Sequence, residues 1–178
     1  MSEESRKTAV IYYSKTGFTE KYAKWLAEET NGECIPYARA QKMDFSEYDV
    51  IVFGSWCHAG FIKNLKWFKK NLPRWQEKKK IVFAVGGSPA DNPSIPQSLR
   101  NNFNDAEWEQ IKTFYCPGGF CYERMDTKSK LMMKMFCKML SAKKNPTEEE
   151  KIMAEMISHS YDISDKKYIL PITEWLKE

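Results

Sequence analysis

The sequence predicts an α/β fold: a doubly wound, five-stranded parallel sheet in a single domain, 1–178, with a helical insertion at about 117–163 before the last helix. Near-continuous apolar segments rich in β-branched residues alternate with segments of helical periodicity. Strands that helices cover on both faces have this continuous apolar pattern. A length of 178 residues is also typical of one domain of ordinary size.

The predicted elements alternate in order along the chain. The predicted strands are 8–13, 33–37, 48–54, 80–85 and 110–116. The predicted helices outside the insertion are 20–30, 62–72, 95–103 and 164–177. Gly32 and Pro73 mark two helix ends, since glycine favours a helix end and proline cannot continue the helix. Parallel strands joined by right-handed helical crossovers follow from this alternation.

Composition and charge exclude several classes of protein. The chain is 42% hydrophobic and 29% charged, which excludes collagen-like, disordered and low-complexity chains. A net charge of +4 gives no reason to expect nucleic acid as a partner. The longest apolar runs, such as 81–85, are far shorter than the ~20 residues of a membrane span. The polar start, 1–7, does not resemble a signal peptide, so a cytoplasmic protein is expected.

The cysteines do not form a recognisable framework. There are two histidines and five cysteines, an odd number, and no Cys-x-x-Cys motif. A disulfide scaffold, a zinc finger and an iron–sulfur cluster are therefore not predicted, no metal is expected, and the thiols are expected to be reduced. The cysteines are Cys34, Cys57, Cys116, Cys121 and Cys137.

The loop between the first strand and the first helix has the composition of a phosphate site. Open α/β sheets bind ligands beyond the carboxyl ends of their strands. Hydroxyls, a glycine and the N–H groups of a helix N-terminus can surround an anion. A polar turn with a Ser or Thr helix cap is the alternative. The motifs of P-loop NTPases and of dinucleotide-binding proteins are absent. The loop consists of Ser14, Lys15, Thr16, Gly17, Phe18 and Thr19.

This loop, with Tyr13 before it, resembles the Thr/Ser-x-Thr-Gly-x-Thr phosphate loop of flavodoxins, which bind FMN. The order of strands and loops agrees with that family over 7–116 and again at the last helix. The resemblance implies a flavodoxin-like fold with FMN as the cofactor. It also implies how the phosphate is held: by Ser14, Thr16, Gly17 and Thr19, and by the backbone N–H groups of Lys15 and Phe18.

Two further loops match the flavin-flanking loops of that family by position. In the first, Trp56 is expected to stack on the isoalloxazine or, alternatively, to cover the helix below. His58 has either a hydrogen-bonding or an acid–base role, and no catalytic residue is assigned. In the second, glycines allow the backbone to approach the flavin, although the tyrosine common in flavodoxins is absent and a plain turn is the alternative. The first loop is Ser55, Trp56, Cys57, His58, Ala59 and Gly60; the second is Gly86, Gly87, Ser88 and Pro89.

The insertion contains a basic, methionine-rich segment. Two helices, 127–142 and 147–158, are predicted within it. Three lysines lie at helical spacing beside a broad apolar face, which either packs on the domain or docks on an anionic membrane or a hydrophobic partner. The second interpretation gives peripheral membrane contact through 127–142. The lysines are Lys130, Lys134 and Lys138, and the apolar residues are Leu131, Met132, Met135, Phe136 and Met139.

Residues 115–140 and 161–175 resemble the C-terminal third of menaquinone-dependent protoporphyrinogen oxidases, which are flavodoxin-like FMN proteins with a basic, apolar helical insertion. The shared features are Gly118, Gly119, Tyr122, Asp126, the run 131–135 and Tyr161. The likeness weakens at 56–58.

This second resemblance implies a redox enzyme in which bound FMN passes electrons between a donor and a quinone or another small acceptor. The alternative is an electron carrier that docks with redox proteins through its charged surface. Carrier flavodoxins are usually strongly acidic, and the net charge of +4 disfavours that role. A flavodoxin-like module that has lost its flavin is disfavoured by the intact loop 14–19.

Overall fold

Within residues 6–178, which the computed structural model describes, a parallel sheet forms the centre of the molecule. Residues 1–5, part of the polar start considered above, lie outside the described residues. The parallel strands are β1 (Thr8–Tyr13), β2 (Glu33–Pro36), β3 (Val50–His58), β5 (Lys79–Gly86) and β6 (Lys112–Pro117). A short strand, β4 (Phe61–Ile62), pairs antiparallel with the end of β3. The strand order is β2-β1-β3-β5-β6.

Helices cover both faces of this sheet and also form most of the insertion. The helices are α1 (Phe18–Thr30), α2 (Tyr37–Ala40), α3 (Leu65–Asn71), α4 (Ile95–Arg100), α5 (Asp105–Gln110), α6 (Thr127–Ser141), α7 (Glu148–Met156) and α8 (Leu170–Lys177). Short 3-10 helices lie at Leu72–Arg74, Tyr122–Arg124 and Lys166–Ile169. Inside the insertion, β7 (Gly119–Phe120) and β8 (Tyr161–Asp162) form a separate antiparallel pair.

The core is divided by the sheet into two clusters. Successive strand residues point to opposite faces, so Phe53 belongs to one cluster and Val52 to the other. The first cluster includes Phe68 from α3, and the second includes Leu26 from α1 and Ile172 from α8. Burial on both faces explains why the strand sequences are continuously apolar, and it confirms the predicted fold class.

β1 and β3 lie side by side in the sheet. The connection that follows β1 leads to β2 on one side, and the connection that follows β3 leads to β5 on the other, so the strand order reverses between β1 and β3. Tyr13 is in register with Ser55, Ser55 with Ala84, and Ala84 with Tyr115. The carboxyl ends of four strands are therefore aligned at one edge. In doubly wound sheets the ligand lies at such a reversal point.

The predicted loop 55–60 is corrected to a hairpin. β3 continues to His58, and the chain turns at Ala59 and Gly60 into β4. Both turn residues have positive φ, 48° and 83°, as in the tight type I′ turns that fit the twist of paired strands. Four of the six residues of the predicted loop, 55–58, therefore belong to β3.

Several element boundaries also differ from the prediction. The last helix begins at Leu170 rather than at 164, because Asp165 caps a 3-10 helix there through Lys167 N at 2.9 Å. The helix predicted for 95–103 ends at Arg100, and α5 follows it. The reciprocal hydrogen bonds of Asn104 and Glu107 define the start of α5. This capping pattern was readable in the sequence.

The insertion helices α6 and α7 pack on one another and leave several of their apolar residues exposed. Leu131, Met135 and Met139 are 60%, 64% and 62% exposed. The interpretation in which this face packs on the domain is therefore wrong, because its residues contact solvent instead of the core. Nowhere in residues 6–178 does a helix combine the length and apolar character needed to cross a membrane.

Candidate functional site

The loop 14–19 forms a closed turn at the N-terminus of α1. The backbone N–H of Gly17 donates to Ser14 Oγ at 3.1 Å. Gly17 has φ 101°, a left-handed conformation that glycine adopts without strain. The first intrahelical bond runs from Lys21 N to Gly17 O at 3.0 Å. The N–H groups of the first turn therefore have no acceptor within the helix and are available to an anion.

The two threonines of this loop occupy different environments. Thr16 is half-buried at the rim, while Thr19 is only 1% exposed. The Thr16 hydroxyl is thus the more accessible to a ligand arriving from solvent. The phosphate role of each hydroxyl stays a prediction.

The insertion closes over the same loop, which the sequence did not predict. Arg124 Nη1 donates to the carbonyl oxygen of Thr16 at 3.3 Å. Lys15 forms an ion pair with Asp126 and donates to Ser129 Oγ at 2.9 Å. The carboxylate of Asp126 also caps α6, accepting from Ser129 N at 2.8 Å. Asp126-x-x-Ser129 is a recognisable helix start, but its contact with Lys15 has no local signal in the sequence.

Lys15 holds the pKa of the Asp126 carboxyl well below its usual range through a hydrogen bond, and the backbone N–H of Ser129 adds to the effect. The carboxylate is therefore ionised at neutral pH, and its charge balances that of Lys15.

Trp56, near the end of β3, connects that strand with the loop 14–19. Its ring stacks on Tyr13 with centroids 6.5 Å apart and an interplanar angle of 25°. Lys15 Nζ lies 5.7 Å from the indole centroid and Lys63 Nζ 5.6 Å. Within the described part of the chain, the buried Trp56 Nε1 and Ser55 Oγ have no hydrogen-bond partner. A buried donor without an acceptor is costly, so Trp56 Nε1 is suited to an acceptor on a ligand.

The other residues of this hairpin lie in different environments. Cys57 packs against the core cluster that contains Phe53, and burial raises the pKa of its thiol to about 12. His58 and Ala59 are exposed at the tip. Asn102 accepts from Ile62 N at 3.0 Å and donates to Gly60 O at 2.8 Å, which fixes the turn. Of the predicted set 55–60, Trp56 is the side chain in contact with the phosphate-loop residue Lys15.

The loop after β5 is held by contacts from β6 and from the insertion. Tyr115 Oη donates to Ser88 O at 2.8 Å, and Tyr161 Oη donates to Gly87 O at 2.7 Å. Gly118 N donates to Gly86 O at 2.7 Å. A Cβ on Gly87 would lie 2.4 Å from Phe120 Cε2, so this position has room only for glycine unless the ring moves.

The remaining member of this loop, Pro89, is exposed. Burial raises the pKa of the Tyr115 and Tyr161 hydroxyls well above the usual value, so both donors stay protonated at neutral pH. Neither tyrosine was predicted as a site residue.

These residues fit FMN. The phosphate loop offers backbone N–H groups beside an arginine, and the unpartnered Trp56 Nε1 and the exposed rim of the loop after β5 lie at the same edge of the sheet. An open, doubly wound sheet with a loop of this composition at its reversal point is typical of nucleotide-binding proteins of the α/β class.

A family model described as "Flavodoxin domain" matches residues 9–147. The chain belongs to the flavodoxin domain family. Flavodoxin domains bind FMN, so membership confirms both the family and the cofactor expected from the sequence.

The chain is also similar to individual proteins in sequence or in structure. An uncharacterized protein of Methanocaldococcus jannaschii is 29% identical over 106 residues, covering 58% of this chain and 69% of that protein. A flavoprotein in complex with FMN from Lactobacillus acidophilus is 16% identical, with a TM-score of 0.46, over 63% of this chain and 92% of that chain. A flavodoxin from the domain Archaea is 15% identical, with a TM-score of 0.36, over 86% of this chain and 99% of that chain.

Proposed function

We propose that this protein is an FMN-dependent oxidoreductase that passes electrons between its bound flavin and a quinone or another small acceptor, as the protoporphyrinogen oxidase resemblance implies. The observation that carries the proposal is the phosphate loop 14–19 at the reversal point of the sheet, with Trp56 beside it. When bound, FMN supplies the redox chemistry, accepting two electrons from a donor and giving them to an acceptor.

The chain's own residues bind and orient the cofactor. The N–H groups at the start of α1 and the Thr16 hydroxyl bind the phosphate. Trp56 packs against the ring system and offers Nε1 as a donor. The loop 86–89, whose carbonyls are held by Tyr115 and Tyr161, forms the other wall.

The surface of the insertion supports an apolar acceptor. We define the α6–α7 face as the exposed apolar residues of these two helices: Leu131, Met132, Met135, Phe136, Met139, Ile152 and Met153. Lysines on α6 flank this face. Basic, apolar helices of this kind lie in the interface of anionic membranes, in which apolar quinones dissolve. We therefore propose peripheral attachment to an anionic lipid surface through α6.

A flavin-binding experiment tests the first part of the proposal. Purified protein is expected to carry FMN absorbance or to bind added FMN. Replacing Thr16 and Thr19 by Ala removes both threonine hydroxyls of the loop, and the loss of one charge-assisted contact, worth ~1.5–3 kcal/mol, is enough to lower affinity at least tenfold. Thr113→Ala, on the edge strand β6, is the control and should bind FMN normally. A colourless protein that also ignores added FMN would overturn the proposal.

An electron-transfer experiment tests the second part. In one assay, holoprotein reduced with dithionite is mixed with menadione or, as a protein acceptor, with cytochrome c. In a second assay, protoporphyrinogen oxidation is measured with menadione as the acceptor. Reduction of the quinone takes two electrons and two protons per quinol formed. Rapid reoxidation of the reduced protein by menadione supports the proposal that it is a quinone-linked oxidoreductase. Rapid reoxidation by cytochrome c alone would favour the electron carrier instead.

A further inference from the structure

The guanidinium of Arg124 lies directly over the phosphate loop. Nη1 is 3.3 Å from Thr16 O and would be 2.4 Å from a Cβ built on Gly17. It therefore occupies the space above the glycine of the loop. Arg124 comes from the insertion, 108 residues further along the chain than Thr16.

In the part of the chain that the structure describes, the charge of Arg124 is not balanced by a carboxylate. Across residues 6–178, no Asp or Glu forms an ion pair with it, whereas Lys15 in the same loop is paired with Asp126. The adjacent Glu123 instead accepts from Ser160 Oγ at 2.8 Å. Arg124 thus supplies one unpaired positive charge at the loop.

The guanidinium has unused hydrogen-bonding capacity. It carries five N–H donors, and its bond to Thr16 O uses one of them. A planar fork of donors matches the oxygens of a phosphate in pairs, which a lysine ammonium cannot do.

The backbone of Arg124 is anchored while its side chain is exposed. Arg124 N donates to Cys121 O at 3.1 Å, and Tyr122 N donates to Ser160 Oγ at 3.0 Å. On the other side, Asp126 is tied to Lys15. The side chain can therefore turn toward a bound anion without moving the chain.

We propose that Arg124 binds the phosphate of FMN and makes the protein prefer FMN to riboflavin, which lacks the phosphate. This inference rests on the proposed function, in which the loop 14–19 holds FMN. The insertion then contributes a ligand of its own to the cofactor site.

The test compares two flavins in four proteins. Dissociation constants for FMN and riboflavin are measured by flavin fluorescence with the apoprotein, for the parent, Arg124→Ala, Arg124→Lys and Arg74→Ala. Arg124→Ala should weaken FMN at least about tenfold and leave riboflavin within about twofold. Arg124→Lys should give an intermediate FMN affinity. Arg74 is exposed in the 3-10 helix before β5. The control Arg74→Ala therefore removes the same charge at a distant position and should change neither dissociation constant.

Three outcomes would overturn the inference. An unchanged FMN affinity in Arg124→Ala shows that the guanidinium does not contact the phosphate. An equal loss for both flavins, in a variant whose circular dichroism and melting temperature match the parent, shows that Arg124 acts on the shape of the loop. A parent protein that binds neither flavin overturns the proposed function and this inference together, so the two failures are distinguishable.

Discussion

The Tyr161 hydroxyl donates a hydrogen bond of 2.7 Å to the carbonyl oxygen of Gly87, and this bond joins the end of the insertion to the loop after β5. Tyr115 makes the corresponding bond to the next carbonyl, that of Ser88. Two consecutive carbonyls of this loop are thus held by half-buried tyrosines. The conformation of the candidate flavin wall therefore depends on the insertion as well as on the sheet.

Removing the Tyr161 hydroxyl should loosen this wall. We expect Tyr161→Phe to lower the free energy of unfolding by ~1 kcal/mol, measured by urea denaturation. FMN and riboflavin affinities should fall by the same factor, because in the proposed function this loop contacts the ring system and not the phosphate. Tyr12→Phe, on β1, is the matched control. A loss confined to FMN would contradict this assignment.

Trp56 is expected to quench the fluorescence of bound flavin. Trp56→Ala should weaken FMN binding and raise the fluorescence of the flavin that remains bound, since the stacking partner is gone. Trp56→Phe keeps a ring but loses Nε1–H, and it should retain part of the quenching. Titration of each variant with FMN measures both effects. If affinity and fluorescence match the parent in both variants, Trp56 has only a structural role.

The lysines of α6 are expected to bind anionic lipid. Each lysine near such a surface contributes about 1 kcal/mol, so changing Lys130, Lys134 and Lys138 together to Glu should nearly abolish attachment. Sedimentation with phosphatidylglycerol vesicles measures it. The control variant changes the exposed Lys42, Lys66 and Lys70 to Glu, the same charge change outside the insertion. Parent protein that does not sediment with vesicles would exclude the membrane proposal.

A substitution at Met135 distinguishes an exposed docking surface from a core position. Its side chain is 64% exposed, so Met135→Asp should leave the melting temperature within a few degrees of the parent. The same change should weaken vesicle attachment, because it places a negative charge on the apolar face. Phe68→Asp, at a fully buried position, is the destabilised control. Unfolding of Met135→Asp would show that the face is covered.

Cys57 should behave as an inert thiol. Burial raises its pKa to about 12, so at pH 8 only about one thiol in ten thousand is ionised, against roughly a quarter of ordinary cysteines. The pKa of this thiol is higher in the folded than in the unfolded protein. Its contribution to the free energy of unfolding is therefore complete below about pH 8 and declines as the pH rises toward 12. Alkylation by iodoacetamide, followed by mass spectrometry, should be much slower in native than in unfolded protein. Equal rates would contradict the burial of this thiol.

Local sequence patterns determined the fold class of this protein and the first half of its candidate site. A strand buried on both faces is apolar along most of its length, so the central runs of β1, β3 and β5 were recognisable from composition alone. The loop 14–19 was recognisable because hydroxyls, a glycine and a following helix are close together in the chain. These features also carry the family resemblance.

Only the tertiary structure decided which distant residues meet at that site. Arg124 and Tyr161 reach Thr16 and Gly87 across 108 and 74 residues of sequence, and no local periodicity encodes such contacts. The helix α6 is a second example of this division between what the sequence and what the tertiary structure determine. Its amphipathic spacing determined that one face is apolar, but periodicity does not say whether another element covers that face. That depends on where the insertion leaves the sheet, and here it leaves the face exposed.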